Sequence, residues 1–282
     1  MSTDYNTVLT LSALVILWLL FCLAYVVFDL RRYGFEANPL FAIYRSRRLN
    51  AFLDRMGRRS PRLWRVVGNV GVAAYLGQVA FMTYLLFMNL YRFAYRPEQA
   101  SPVMPLIPGV TISLESLPWF FAAAGFVILI HELSHGVQCV VEGVPIRSSA
   151  LLFAVVTFGG AVEPDEEAME AASTMSKMRI YAAGSLSNLA TGLLVIFALV
   201  LLGGLLPEPA FIFLHWVYFL SINLALVNML PIYPLDGGQM LRAYVGSMPR
   251  GEALQRTAMY CFVALMASNV ALSLIRFGLI PL

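Results

Sequence analysis

The stretch from Pro118 to Val141 reads PWFFAAAGFVILIHELSHGVQCVV, and it decides how the chain folds. It is long enough to cross a bilayer as a helix, since this takes about 20 mostly apolar residues. Its only ionisable side chains are His131, Glu132 and His135. A charged group at the centre of a membrane helix costs about 2.5–3.5 kcal/mol on insertion scales, so such groups face protein or water. The stretch therefore predicts a membrane helix with a polar face turned inwards.

These three residues form the pattern HExxH, which is typical of a zinc site. Side chains four residues apart on a helix lie on one face, so both imidazoles reach the same ion. Glu132 is offset by about 100° from His131, which places its carboxylate beside the ion rather than among its ligands. A zinc site with an open position needs a third protein ligand and a water. A chance match is the alternative, but inside a span it would place three costly groups without a function.

The rest of the chain is similarly apolar. Of its 282 residues, 60% are hydrophobic and 12% are charged, whereas about 25% are charged in a typical soluble domain. This composition excludes a disordered protein and disfavours a soluble one. Six stretches are long and apolar enough to span a membrane: 8–29, 66–90, 118–141, 178–205, 210–230 and 257–278. The predicted fold class is an all-α polytopic membrane protein with about six transmembrane helices.

Arginines concentrated in one loop predict the orientation of the chain. The segment from Arg31 to Arg65 holds ten arginines and only two acids, Glu36 and Asp54. The positive-inside rule makes this loop cytoplasmic. Alternation along the spans then predicts extracytoplasmic N- and C-termini and places HELSH nearer the cytoplasmic face. The net charge of +3 is summed over two membrane sides, so it does not indicate a nucleic-acid partner.

The candidate third ligand follows from this topology. His215, the only other histidine, lies near the extracytoplasmic end of the fifth span, so we interpret it as a core or interface residue. That span ends in NMLPIYPLDGGQML, where Pro231 and Pro234 break the helix. Asp236 is the first acid after the break and falls near the depth of HELSH. It is the candidate third ligand, and the alternative is a cap for a helix over 237–245.

A short apolar segment, VPIRSSALLFAVVTFGGAV at 144–162, is not typical of a spanning helix. Its β-branched and aromatic residues predict a small membrane-associated strand or hairpin. The acidic run 165–170 that follows indicates the first turn of a short helix or a solvated loop.

Three regions follow from this organisation. Residues 1–117 hold two N-terminal transmembrane helices and the Arg-rich loop. Residues 118–245 hold a three-helix core with both motifs, and 246–282 hold a C-terminal transmembrane helix.

HELSH, AAGSLSN at 182–188 and NMLPIYPLDGG together resemble the site-2 protease family of intramembrane zinc metalloproteases. The core of that family is three helices with HExxH and the pattern N-x-x-P-x-x-P-L-D-G. The resemblance covers roughly 118–245. Many members of that family carry a PDZ or CBS domain. Here the loop after HELSH has no room for one, so we expect a compact form without either domain.

The resemblance also implies one Zn²⁺ per chain, bound by His131, His135 and Asp236, and a zinc-bound water activated by Glu132. Asn228, eight residues before the aspartate, would hold the substrate carbonyl or the oxyanion. An interhelical hydrogen bond is the alternative for this asparagine.

AAGSLSN contains Gly184 and Asn188, which match a family motif often written with Gly-Pro. Ser185 replaces the proline, so we interpret this segment as helix packing through small residues.

The implied function is a metalloendopeptidase that cleaves transmembrane segments of membrane proteins in regulated intramembrane proteolysis. Its expected partners are a transmembrane-helix substrate and the lipid bilayer, and an exposed strand edge in 144–162 would capture the unwound substrate. The alternative is a membrane metal transporter that uses the His/Asp cluster as a transit site. A transporter would show further polar residues along several spans and often repeats related by symmetry.

Overall fold

A computed structural model describes residues 2–38, 41–107, 110–154 and 157–278. Its helices are α1 (Ser2–Val27), α2 (Arg47–Arg59), α3 (Pro61–Tyr95), α4 (Leu117–Glu142), α5 (Glu166–Ala171), α6 (Thr174–Leu202), α7 (Glu208–Asn228), α8 (Asp236–Val245) and α9 (Gly251–Phe277). Helices α3, α4, α6, α7 and α9 are long and apolar enough to cross a membrane. The chain is therefore a helical polytopic membrane protein, as predicted.

The first predicted span, 8–29, corresponds to α1. Within the described part of the chain, α1 offers a shorter apolar stretch, Val15–Val27, than the other five predicted spans do. Those five are confirmed as long apolar helices, each extending beyond the predicted bounds by one to six residues on at least one side.

The predicted three-helix core is formed by α4, α6 and α7, each of which contacts the other two. At one end, Phe120 of α4 meets Trp216 of α7 edge to face, with ring centroids 5.3 Å apart, next to the fully buried Val217. At the other end, Gly184 is buried on the side of α6 that faces α4. Small residues let membrane helices approach closely, and this brings α6 against the HELSH turn.

A four-stranded antiparallel sheet lies beside this core, in the order β1-β2-β3-β4. The strands are β1 (Phe35–Ala37), β2 (Phe41–Arg45), β3 (Ile146–Ala154) and β4 (Thr157–Pro164). The predicted β element within 144–162 is confirmed as the β3–β4 hairpin; residues 155 and 156 of that segment are outside the described residues. β4 lies at the edge of the sheet and packs against α4.

Two strands of the sheet come from the Arg-rich segment, which the sequence predicts only as a cytoplasmic loop. β1 and β2 have three and five residues, too few to show a clear alternation, and β3, the next partner of β2, lies about a hundred residues further on. Phe35 and Tyr44 face each other across β1 and β2, with ring centroids 4.7 Å apart. Aromatic cross-strand pairs of this kind stabilise short strands.

The same segment contains the amphipathic helix α2, which begins after Ser46. The Ser46 hydroxyl accepts a hydrogen bond of 3.3 Å from the Leu49 N–H, as expected of a cap. Helix α5 begins after Asp165, whose carboxylate accepts a 3.0 Å bond from the Ala168 N–H. The short helix predicted in the acidic run is therefore confirmed.

Candidate metal centre

The HELSH turn of α4 places two imidazoles side by side. The rings of His131 and His135 have centroids 4.7 Å apart, and both side chains are largely buried. Helix α6 crosses this turn at Gly184. A Cβ at that position would lie 2.5 Å from Cε1 and 2.6 Å from Nε2 of His131, closer than real carbon atoms approach. Glycine is therefore required for α6 to pass the imidazoles.

The broken segment after α7 brings in the aspartate. Helix α7 ends at Asn228 and α8 begins at Asp236, with Leu235 in the cap position. Gly237 and Gly238 let α8 lie against the backbone of this segment. A Cβ on Gly237 would lie 2.6 Å from the carbonyl oxygen of residue 230, and a Cβ on Gly238 would lie 2.6 Å from that of residue 232. The helix predicted over 237–245 therefore exists, but Asp236 forms its first residue and turns its carboxylate to the histidines.

The three predicted ligands meet at one point. His131 Nε2 and His135 Nε2 are 3.1 Å apart, and Asp236 Oδ2 lies 3.2 Å and 3.3 Å from them respectively. In a tetrahedral zinc site with bonds of about 2.0–2.1 Å, geometry puts ligand atoms about 3.3 Å from one another. The three atoms therefore have the spacing of three corners of a zinc tetrahedron.

Hydrogen bonds behind the imidazoles orient them for metal binding. His135 Nδ1 lies 2.7 Å from the carbonyl oxygen of Ile180, which only accepts, so Nδ1 donates and Nε2 of the neutral ring offers its lone pair. His131 Nδ1 lies 3.0 Å from the side-chain amide of Asn188. A half-turn of this amide exchanges its oxygen and nitrogen, so the Asn188 oxygen can accept a hydrogen bond from the Nδ1–H when Nε2 is a ligand.

The aspartate completes the donor set. Burial by itself would raise the pKa of Asp236, but the positive charge of His135 and His131, when protonated, more than offsets this and holds it below its ordinary value. A zinc ion would supply that positive charge in place of the protons. An ionised carboxylate and two imidazole lone pairs within 3.3 Å are a donor set suited to zinc. The residues present therefore fit a zinc ion.

The sequence does not predict the role of Asn188, because AAGSLSN by itself indicates only helix packing through small residues. The packing interpretation holds for Gly184 but is incomplete for Asn188, which is fully buried and bonded to His131. The available signal was an amide in an apolar span, one helical turn after a glycine. Only the facing of α6 towards α4 shows what this amide contacts.

Glu132 lies beside the ligand cluster and outside it. Its Oε2 accepts a long hydrogen bond of 3.4 Å from the Val162 N–H of β4. The three ligands and Glu132 line one cavity of about 570 Å³, which is also bordered by Val162 and by Glu166 of α5. The cavity therefore joins the HELSH turn to the edge of the sheet and to the acidic helix.

Asn228 ends α7 directly over the cluster. Its Nδ2 donates to Asp236 Oδ2 at 2.6 Å and lies 3.1 Å from His131 Nε2. This amide thus contacts two of the three ligand atoms. The interhelical hydrogen bond expected as the alternative role exists, and its partners are the site residues themselves.

His215 has no place in this cluster. It is exposed on α7, with its ring 4.9 Å from that of Tyr218 and 6.3 Å from that of Phe211. Exclusion of His215 from the ligands is consistent with this position. The expectation of a core or interface residue is wrong for the core, because the side chain points out of the bundle.

Comparison with known proteins places this geometry in a family. The model of peptidase family M50 matches residues 119–211 and 206–269, together just over half of the chain. A membrane-bound transcription factor site-2 protease homolog of Arabidopsis thaliana is 24% identical over 168 residues, which are 59% of this chain and 33% of that protein. A protein of Mycobacterium tuberculosis named zinc metalloprotease Rip3 is 34% identical over 134 residues, 45% of this chain and 32% of that protein.

The chain spans about a third of the length of these curated relatives. The matched range 119–269 contains α4, α6, α7 and α8, the elements that supply His131, Glu132, His135 and Asp236. The chain belongs to peptidase family M50, the family of the site-2 proteases.

Proposed function

We propose that this protein is a membrane zinc metalloprotease that hydrolyses a peptide bond in a transmembrane segment of another membrane protein. The observation that carries the proposal is the triangle of His131, His135 and Asp236 ligand atoms with Glu132 beside it in one cavity. Membership of family M50 supports the same chemistry. One zinc ion per chain is proposed, held by these three side chains.

Bound zinc supplies Lewis acidity, which lowers the pKa of a water towards about 7 and polarises a carbonyl. Glu132 then acts as the general base that takes the proton of the attacking water, and it returns this proton to the departing amine. Its position outside the ligand triangle leaves the carboxylate free for this transfer. Asn228 presents an amide N–H to the same space, where it would stabilise the negative charge that develops on the substrate oxygen.

Substrate would enter along β4. A helical substrate hides its carbonyls in hydrogen bonds to the residue four positions on, so it must unwind before cleavage. β4 is the edge strand next to α4, and its Val162 and Pro164 border the cavity. An unwound segment would be held there as an added strand. Water would arrive from the side of Glu166 and Glu170, which is the cytoplasmic side in the predicted orientation.

The test is Glu132→Gln in the purified full-length protein. We expect the variant to retain zinc, measured by elemental analysis, and to lose cleavage of a membrane-helix reporter. Glu252→Gln is the matched control, because Glu252 is exposed on α9 and, among the described residues, pairs only with Arg256. Metal transport across vesicles without any cleavage by the unaltered protein would contradict the proposal and favour a transporter.

A further inference from the structure

The arginines around α2 form an exposed cationic surface that the proposed reaction does not use. Arg48, Arg55, Arg59 and Arg62 are all exposed. The nearby acids are engaged elsewhere: Asp54 pairs with Arg58 at 2.7 Å, and Glu142 bonds to Arg179 of α6 and lies 4.0 Å from Arg65. Among the described residues, these four arginines have no acidic partner.

Three of these arginines lie on one stripe of the helix. Arg48, Phe52, Arg55 and Arg59 are separated by four, three and four residues, so they follow one another along one side of α2. Phe52 stands between the charges with 47% of its surface exposed. We call these four residues the cationic stripe. A stripe of arginines around an exposed aromatic ring is typical of helices that lie at a membrane surface.

The opposite side of α2 is fixed to the helix that carries HELSH. Leu53 is fully buried, and a Cβ on Gly136 would lie 2.8 Å from its Cδ1. A Cβ on Gly57 would lie 2.7 Å from Cγ1 of Val140, one turn further along α4. Because Gly136 follows His135 directly, α2 is packed against the same turn that presents the imidazoles.

Helix α2 also lies where two spans end. α3 begins two residues after α2, and the Trp64 indole N–H donates to the carbonyl of Met56 at 3.1 Å, which ties the two helices together. α4 ends at Glu142, near Arg65 at the start of α3. The cationic stripe is thus held at one end of the apolar bundle, where lipid headgroups begin.

We propose that the cationic stripe binds the phosphate-bearing headgroups of anionic phospholipids in the adjacent leaflet, and that this contact holds α4 in its active position. Guanidinium groups match phosphate oxygens in charge and in geometry. Clusters of basic residues beside a span attract anionic lipids. Lipid binding is independent of the catalytic proposal, whereas its effect on cleavage rests on that proposed function.

The binding experiment uses the full-length protein in phosphatidylcholine vesicles with trace spin-labelled lipid. We expect spin-labelled phosphatidylglycerol to be immobilised at least threefold more strongly than spin-labelled phosphatidylcholine. Arg55→Gln/Arg59→Gln should remove this preference, and Arg55→Lys/Arg59→Lys, which keeps the charge, should retain most of it. Arg250→Gln/Arg256→Gln is the matched control, because it removes the same charge from the end of α9 and should leave the preference unchanged.

Three results would overturn the lipid assignment. The first is equal immobilisation of both lipids by the unaltered protein, and the second is an equal loss of preference in the stripe and control variants. The third is displacement of phosphatidylglycerol by inorganic phosphate at constant ionic strength, which would assign the stripe to soluble phosphate.

The coupling experiment measures reporter cleavage in vesicles with and without phosphatidylglycerol. We expect a severalfold higher kcat with the anionic lipid, absent in Arg55→Gln/Arg59→Gln and present in the α9 control. An unchanged kcat together with confirmed lipid preference would reject the coupling to α4. Absence of cleavage in every lipid would reject the proposed protease function instead and leave the lipid result standing.

Discussion

Histidines occur at two places in the described part of this membrane bundle, and the candidate metal cluster lies at only one of them. His131 and His135 are largely buried, and each is held from behind, by Asn188 and by the Ile180 carbonyl respectively. His215 is exposed on α7 beside aromatic rings. A histidine in a span can therefore serve as a metal ligand where another helix bonds one ring nitrogen and the other nitrogen faces the remaining ligands.

The largest effect is expected from His135→Ala. The variant loses one corner of the ligand triangle, so we expect it to lose bound zinc and to reduce cleavage by about 1,000-fold or more, since zinc generates the nucleophile. His215→Ala is the control and should leave both quantities unchanged. Zinc content and reporter cleavage are measured on the same preparations. Equal zinc loss in the two variants would remove the distinction between the two places.

The next effect concerns the close passage of α6. Gly184→Ala introduces a Cβ that would lie within 2.6 Å of the His131 ring, so the imidazole must move. A displacement of about 1 Å in a catalytic group costs about 100-fold in rate, and we expect zinc binding to weaken as well. Gly77→Ala, on α3, is the control, because a Cβ there meets nothing within 4 Å. Full activity of Gly184→Ala would show that α6 and α4 can separate freely.

A smaller effect is expected from Asn188→Leu. Loss of the bond to His131 Nδ1 leaves the imidazole less well oriented, and such losses weaken zinc binding by about 10–100-fold. Competition with a chromophoric chelator measures this affinity without relying on cleavage. Asn223→Leu is the control: this asparagine is exposed on α7 and, within the described part of the chain, bonds only to the Phe219 carbonyl. Unaltered zinc affinity in Asn188→Leu would leave the amide with a packing role alone.

The smallest effect on catalysis is expected from Glu142→Gln, at the end of α4. This carboxylate is 4% exposed and binds Arg179 at 3.2 Å and the Ser176 hydroxyl at 2.7 Å. Both partners are half-buried, and hydrogen bonds to charged groups contribute about 1.5–3 kcal/mol, so the melting temperature should fall. Cleavage should fall only severalfold, through the Ile180 carbonyl that follows Arg179. Glu252→Gln breaks an exposed pair and should melt like the unaltered protein.

Much of the site followed from local pattern. HELSH places two imidazoles on one helical face because the residues are four apart, and the two prolines before Asp236 break α7 wherever they occur. These are properties of a single helix or a single break, so the sequence is sufficient for them. The meeting of Asp236 with the histidines was predicted from depth in the membrane, and the structure places their atoms 3.2–3.3 Å apart.

Other features depend on how elements face one another. The pairing of β2 with β3 and the bond from Asn188 to His131 involve partners far away in the chain. The outward direction of His215 depends on the rotation of α7 against its neighbours. A uniformly apolar span does not reveal which side faces protein, because lipid and protein interior are equally apolar. Sequence alone therefore determined the apolar helices and the metal-binding residue types. Tertiary packing decided which polar groups support them, because that depends on the rotation of each helix against its neighbours.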